Sequence, residues 1–298
     1  HFGINLYDVY KDMHIDTILL HCEKLKLSVE ELNIIITKNT AGTLKRFGNK
    51  PLNNFDVQEF IGFAGIKRGE LDDLLKSSFL SEIALVKVKQ IKDNSDIQKY
   101  TEVLENLTPE RLDFIHRYKK IKKKTSWNLK EFDLLLLALK SEGLLTNLEE
   151  SNGIYPKVLQ LAQLINIQDN LKLTVEELAS VINELSLKPL IENEKCFAER
   201  LFDIDKINDA LIPYKTPFLL AGLGVTEAEL LDLAKLVSAD LSQPISLFVL
   251  SGLYRQARIA KAVKMNIEDY SNTLLLEFNG QPMKTLNDLE RLIEFSGW

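Results

Sequence analysis

The feature that most constrains this chain is a helix-start signature that recurs along it. In Trp127-Asn128-Leu129-Lys130-Glu131-Phe132 an apolar residue precedes a polar one, an acid follows three positions on, and an apolar residue comes next. Asn128 can accept a hydrogen bond from the free N–H groups of a first helical turn, and Glu131 can accept one from the cap's own N–H. An acid there also suits the positive end of the helix dipole. The same grammar pairs Asn5 with Asp8, Ser28 with Glu31, Thr174 with Glu177, Thr226 with Glu229 and Asn266 with Asp269. A degenerate copy, Ile66-Lys67-Arg68-Gly69-Glu70-Leu71, keeps the acid and the apolar frame but puts lysine at the cap. Uneven spacings of roughly 40 to 50 residues predict helix pairs with loop insertions. The expected fold is therefore all-α: one irregular, α-solenoid-like helical repeat domain over 1–298, a fragment of a much larger protein, with at most one short β or loop insertion.

Composition agrees. Gly 13 and Pro 8 are few for 298 residues, which favours helix over a sandwich or barrel. A net charge of −6 makes nucleic acid a poor default partner. The strongest apolar run, Phe132 to Leu139, is interrupted by Asp133 and is too short to span a bilayer. His1-Phe2-Gly3 has neither the basic region nor the cleavage pattern of a signal peptide and reads as a cut. Cys22 and Cys196 have no pairing pattern and read as small buried apolar residues.

Between the capped starts lie further helical faces. Ile15, Ile18, Leu19, Cys22 and Leu25 share one; Phe55 to Phe63 forms another, with Asn54 as its cap. Thr108-Pro109 opens a helix to about Lys123, with proline at the first position, where its missing N–H costs nothing. Lys157 to Ile167 and Leu247 to Met265 continue the pattern. Phe47 to Asn54, Ser151 to Pro156 and Asn279 to Pro282 read as turns or loops. Ser81 to Asp96 is rich in β-branched and large residues, the place for a strand pair or loop insertion.

Candidates for chemistry are weak. His14 and His21 stand two turns apart, about 10 Å along a helix and too far for one ion even with Cys22 beside them. Asp203, Asp205 and Asp209 lack the glycine and closing glutamate of a calcium loop. Gly222-Leu223-Gly224 lacks the strand and lysine of a phosphate loop and reads as a helix C-terminus. Cys196 and His116 have no third group to make a nucleophile and base. Arg117 and Lys119-Lys120-Ile121-Lys122-Lys123-Lys124 form a basic run, read as a helix C-terminal part whose cations suit the dipole, with anionic lipid or nucleic acid as the functional alternative. The expectation is no catalytic, cofactor or metal site. With only His1, His14, His21 and His116 present, any acid response is expected from Glu149-Glu150, Glu192, Glu194, Asp203, Asp205 and Asp209.

Three stretches carry a resemblance. Leu107-Thr108-Pro109-Glu110-Arg111-Leu112-Asp113, followed by a basic-aromatic helix and Trp127-Asn128-Leu129-Lys130-Glu131-Phe132-Asp133, resembles the helical region of the A subunit of bacterial insecticidal toxin complexes, the Tc toxins. Leu250-Ser251-Gly252-Leu253-Tyr254-Arg255 is similar to that family's Leu-Ser-x-Leu-Tyr-Arg helix, and Leu25 to Leu32 to its Leu-Gly-Leu-Ser-x-Glu-Glu-Leu. Asn128 replaces the family's serine, Ser126 its glycine, and the lysine run its frequent Trp or Leu. The resemblance implies a non-catalytic piece of the outer shell of a secreted or surface-associated homopentamer. That shell encloses a translocation channel, and neighbouring protomers and other domains of the same subunit are the partners. Receptor binding and membrane entry belong to other regions, and neither nucleic acid nor a cofactor is implied. A stand-alone α-solenoid that binds a partner protein is the alternative. Cut ends are expected to expose Phe2, Leu6, Leu292, Phe295 and Trp298.

Overall fold

A computed structural model describes residues 22–77, 85–92, 100–141, 151–202, 216–243 and 245–297. Two compact units divide the chain: one runs to Asp133 and includes Leu145–Ala162, the other holds Leu134–Leu144 and Gln163–Trp298. The described residues are mostly helical, with one small antiparallel sheet. Asn5, Asp8, His14, His21, Glu149, Glu150, Asp203, Asp205, Asp209 and Trp298 lie outside the described residues.

In the first unit, α1 (Val29–Ile36) and α2 (Thr40–Arg46) precede β1 (Phe55–Asp56), α3 (Val57–Ala64) and α4 (Arg68–Leu75). Then come β2 (Lys87–Lys92), β3 (Tyr100–Glu105), α5 (Pro109–Lys122) and the start of α6 (Leu129–Ser141). Both α1 and α2 pack on α5. Leu32 and Ile35 of α1 and Leu112, Ile115, Tyr118 and Ile121 of α5 are buried, each large apolar side chain worth about 1.5 to 3 kcal/mol. The sheet runs β1-β3-β2, with Phe55 opposite Leu104 and Lys87 opposite Glu105. Phe55 and Phe60 meet edge to face at 6.1 Å, which seats α3 on the sheet.

Here the structure corrects one cap. Asn54 adopts φ +56 and is not a cap; Asp56 is, accepting from the Glu59 N–H at 2.9 Å. The left-handed turn at Asn54 lets Phe55-Asp56 pair with Val103-Leu104 before the helix starts. The insertion expected within Ser81–Asp96 contains β2, and its partner β3 lies beyond it.

In the second unit α7 (Ser151–Leu171), counted here from Gln163, is followed by α8 (Val175–Ile182), α9 (Phe197–Phe202) and α10 (Thr216–Leu223). Then come α11 (Glu227–Leu236), α12 (Leu247–Ala262), α13 (Ile267–Glu277) and α14 (Leu286–Ser296). The turn expected at Ser151–Pro156 is instead the start of α7, which runs on through Gly153 and Pro156. Local propensity is a weak prior, and the rest of that helix buries Leu161, Ala162, Leu164 and Ile167. Helix α12 is the hub, packed by α8, α10, α11 and α13. It buries Leu250, Leu253, Tyr254, Ala257, Ile259 and Ala260 nearly all round its circumference, as a central helix must. Leu292, expected at an exposed end, is buried, because α14 turns its Leu286, Leu289 and Leu292 face inward; Phe295 is 42% exposed.

Five of the helix starts among the described residues follow one turn conformation. Lys26, Gly65, Lys172, Gly224 and Lys264 have φ of +51, +56, +52, +67 and +59. Each stands two residues before a capping position. In four of the turns the next N–H donates to the carbonyl five residues back: Leu27 to Cys22 at 2.7 Å, Ile66 to Ile61 at 3.2 Å, Val225 to Leu220 at 3.1 Å and Met265 to Ala260 at 2.9 Å. That bond satisfies a carbonyl left open by the ending helix. Before α6, which no left-handed residue precedes, Trp127 stacks on Phe132 five positions on, with ring centroids 6.4 Å apart.

Candidate functional site

Helix α5 carries a buried polar network in the first unit. Thr108 caps it, accepting from the Arg111 N–H at 3.3 Å, with Pro109 at the first position as expected. One turn in, Asp113 and Arg117 form a buried ion pair at 2.9 Å with side-chain exposures of 2% and 4%. The Asp113 Oδ1 accepts from the Thr43 hydroxyl at 2.7 Å and from the Asn39 N–H at 3.3 Å. The Arg117 Nη1 donates to the Ile35 carbonyl at 3.5 Å. One carboxylate thus ties α5 to α2, and one guanidinium ties it to α1.

Beside this network lies a cavity of about 250 Å³. Asn33 and Thr37 line it from the α1 end, Asn39 and Arg46 from α2, and Asp113 and His116 from α5. Burial pushes the His116 imidazole down to about 4, and the positive charges of Arg46 and Lys120 push the same way. His116 is therefore neutral at physiological pH. Its Nε2 is buried and has no hydrogen-bond partner in the protein.

The basic run occupies the last turns of α5, where its cations face the negative end of the dipole. Lys124 donates to the Lys26 carbonyl at 2.9 Å and pairs with Glu31 at 2.7 Å. Its ammonium thus closes the turn before α1. Burial lowers Lys119 to about 8, helped by the neighbouring Lys123. Tyr118 is raised well above its ordinary range by burial and then by the charge of Asp133, which accepts a hydrogen bond from Ser77.

In the second unit a cavity of about 670 Å³ lies over α12, lined in part by Arg255, Gln256, Lys235 and the exposed Phe248. The resemblance segment on α12 does structural work. The Ser251 hydroxyl accepts from the Leu185 N–H at 2.9 Å, and Arg255 donates to the Asn183 carbonyl at 2.9 Å. Tyr254 packs edge to face on Phe197 at 5.7 Å. Arg258 grips Glu177 through two bonds of 2.6 and 3.1 Å.

The remaining sequence candidates fare as follows. Among the described residues no group of His, Cys, Asp and Glu could hold a metal ion, and no helix is long and apolar enough to cross a membrane. Gly222 lies in the last turn of α10 and Gly224 at the left-handed position after it, a helix C-terminus. Cys22 and Cys196 are both buried, and Cys196 and His116 belong to different units. The Asp113 network was not anticipated. An acid and a base at i, i+4 on a helix were its only signal, and such pairs usually lie on the surface.

The chain matches no protein-family model and no curated protein.

Proposed function

We propose that this chain is a non-catalytic segment of the helical outer shell of a Tc-type toxin A subunit, an irregular array of capped helix pairs surrounding a translocation channel. The observation that carries the reading is the shared joint. The same left-handed residue, apolar residue and capping residue connect helices at Lys26, Gly65, Lys172, Gly224 and Lys264. A unit repeated in conformation as well as in sequence belongs to a chain that stacks one helical element on the next. The residues that carry the resemblance support it too. Thr108, Asp113, Trp127, Ser251, Tyr254 and Arg255 make a helix cap, a buried ion pair, packing contacts and hydrogen bonds between neighbouring segments. Neighbouring protomers and other parts of the same subunit are then the partners.

The test is to express the parent reading frame and image the product by electron microscopy, with an antibody fragment raised against the exposed Leu275-Leu276 pair. A pentameric bell decorated on its outer wall is the expected result. A frame of only a few hundred residues yielding a monomer or dimer would overturn the shell reading in favour of a stand-alone interaction module.

A further inference from the structure

The cavity over α5 brings a cationic side chain, Arg46, beside an imidazole nitrogen without a partner. Arg46, Asn39, Asn33 and Thr37 line it, and each of these side chains carries hydrogen-bond donors. Asn39 Oδ1 is already taken by the Gly42 N–H at 2.8 Å, which leaves its Nδ2 as the free valence. The single carboxylate, Asp113, already accepts three hydrogen bonds: Thr43 and the Asn39 N–H at Oδ1 and Arg117 at Oδ2. With the Arg117 charge cancelling that of Asp113, the lining carries the net positive charge of Arg46. The His116 ring forms part of the wall, and its buried Nε2 has no partner in the protein. A buried polar nitrogen left unpaired is costly, so such groups are normally supplied from somewhere. About 250 Å³ is several times the share of one water, about 30 Å³.

We propose that this cavity binds a small oxyanion of the sulfate or phosphate class, held by the Arg46 guanidinium and the Asn39 amide, with the His116 imidazole forming the wall beside it. A compact tetrahedral anion offers acceptors in every direction, which suits the donors that Arg46 and Asn39 bring to the cavity. A planar guanidinium meets two of its oxygens at once. A divalent cation suits this lining less well, since the charge of its one carboxylate is already paired with Arg117. The site stands independently of the toxin reading, because it rests only on α1, α2 and α5.

The experiment is a sulfate titration of the 298-residue chain at constant ionic strength against chloride, followed by the NMR signals of the His116 ring. Saturable shifts of that ring by sulfate and by inorganic phosphate, absent with chloride, are expected. Arg46→Gln, a change at an exposed side chain, should weaken sulfate at least tenfold, and His116→Asn should alter its affinity. Lys284→Gln, far from the cavity in sequence and on the second unit, should leave it unchanged. Sulfate also stabilises proteins by exclusion from their surfaces, so a rise in melting temperature without a saturable His116 shift overturns the proposal. So does an Arg46→Gln protein that binds sulfate as the parent does.

Discussion

Asp113 and Arg117 illustrate what a buried charge pair does. Desolvating two ions costs about as much as their attraction returns, so the pair adds little net stability but makes each partner indispensable to the other. Asp113→Ala strands the Arg117 guanidinium, and the Thr43 hydroxyl and Asn39 N–H lose their acceptor with it. The expected loss is about 3 to 5 kcal/mol in urea unfolding. The double variant Asp113→Leu with Arg117→Met should recover most of that, since neither charge is then buried. If the double variant is as unstable as the single one, the pair is doing something other than mutual neutralisation. Gln256 is a second such residue. Its Oε1 accepts from the Tyr270 hydroxyl at 2.7 Å and the Met283 N–H at 3.2 Å, while its Nε2 donates to the Met283 carbonyl at 3.1 Å. One amide thereby fixes the loop before α14 to α12 and α13.

At the scale of the element, the joints and caps are the units that matter. Thr174 caps α8 while Glu177 accepts the Thr174 N–H at 2.8 Å and reaches across to Arg258. Thr174→Ala should cost about 1 kcal/mol. Lysine at a left-handed position pays a steric penalty that glycine does not, against a gain in unfolded-chain freedom for glycine. Lys172→Gly should therefore raise the melting temperature slightly or leave it level. Lys172→Val should lower stability by about 1 to 2 kcal/mol, because a β-branched side chain crowds the left-handed backbone. Equal melting temperatures for the glycine and valine variants would remove the turn from the list of constraints.

For the molecule as a whole, the pH dependence of stability follows from shifted groups of both kinds. His116 is held down to about 4 by burial and by Arg46 and Lys120. Below about 6.5 the unfolded chain takes a proton there and the folded chain does not, so stability falls as pH drops from 6.5 toward 4. After allowance for solvent screening at a half-buried ring, the loss is on the order of 1 to 2 kcal/mol. Glu177 is pulled upward by burial but lowered overall by its Arg258 and Thr174 bonds. Its contribution is present above the ordinary carboxylate range and is lost as pH falls through its depressed value. Urea midpoints measured between pH 7 and 4 should decline, and His116→Gln should flatten the upper part of that decline. An unchanged profile would place the acid sensitivity elsewhere in the chain.

What the sequence determined by itself was where the helices opened by a capping box begin. A cap and its acid are three residues apart, so the interaction is complete within one turn and needs nothing distant. The boxes at Ser28, Asn128, Thr174 and Thr226 are all present, and so is the half-box at Lys67, where only Glu70 can accept. The box at Thr285 and Asp288 obeys the same local rule, and was missed because the exposed Lys284 stands where the apolar frame should be. Tertiary structure alone decided the rest. Tyr100 to Glu105 becomes a strand because β1 and β2 supply its partners on both sides. Asn54 turns left-handed so that Phe55 can join it. Asp113 and Arg117 read as a surface pair until α1 and α2 close over α5, since burial depends on what packs against a face and no spacing along one helix encodes that.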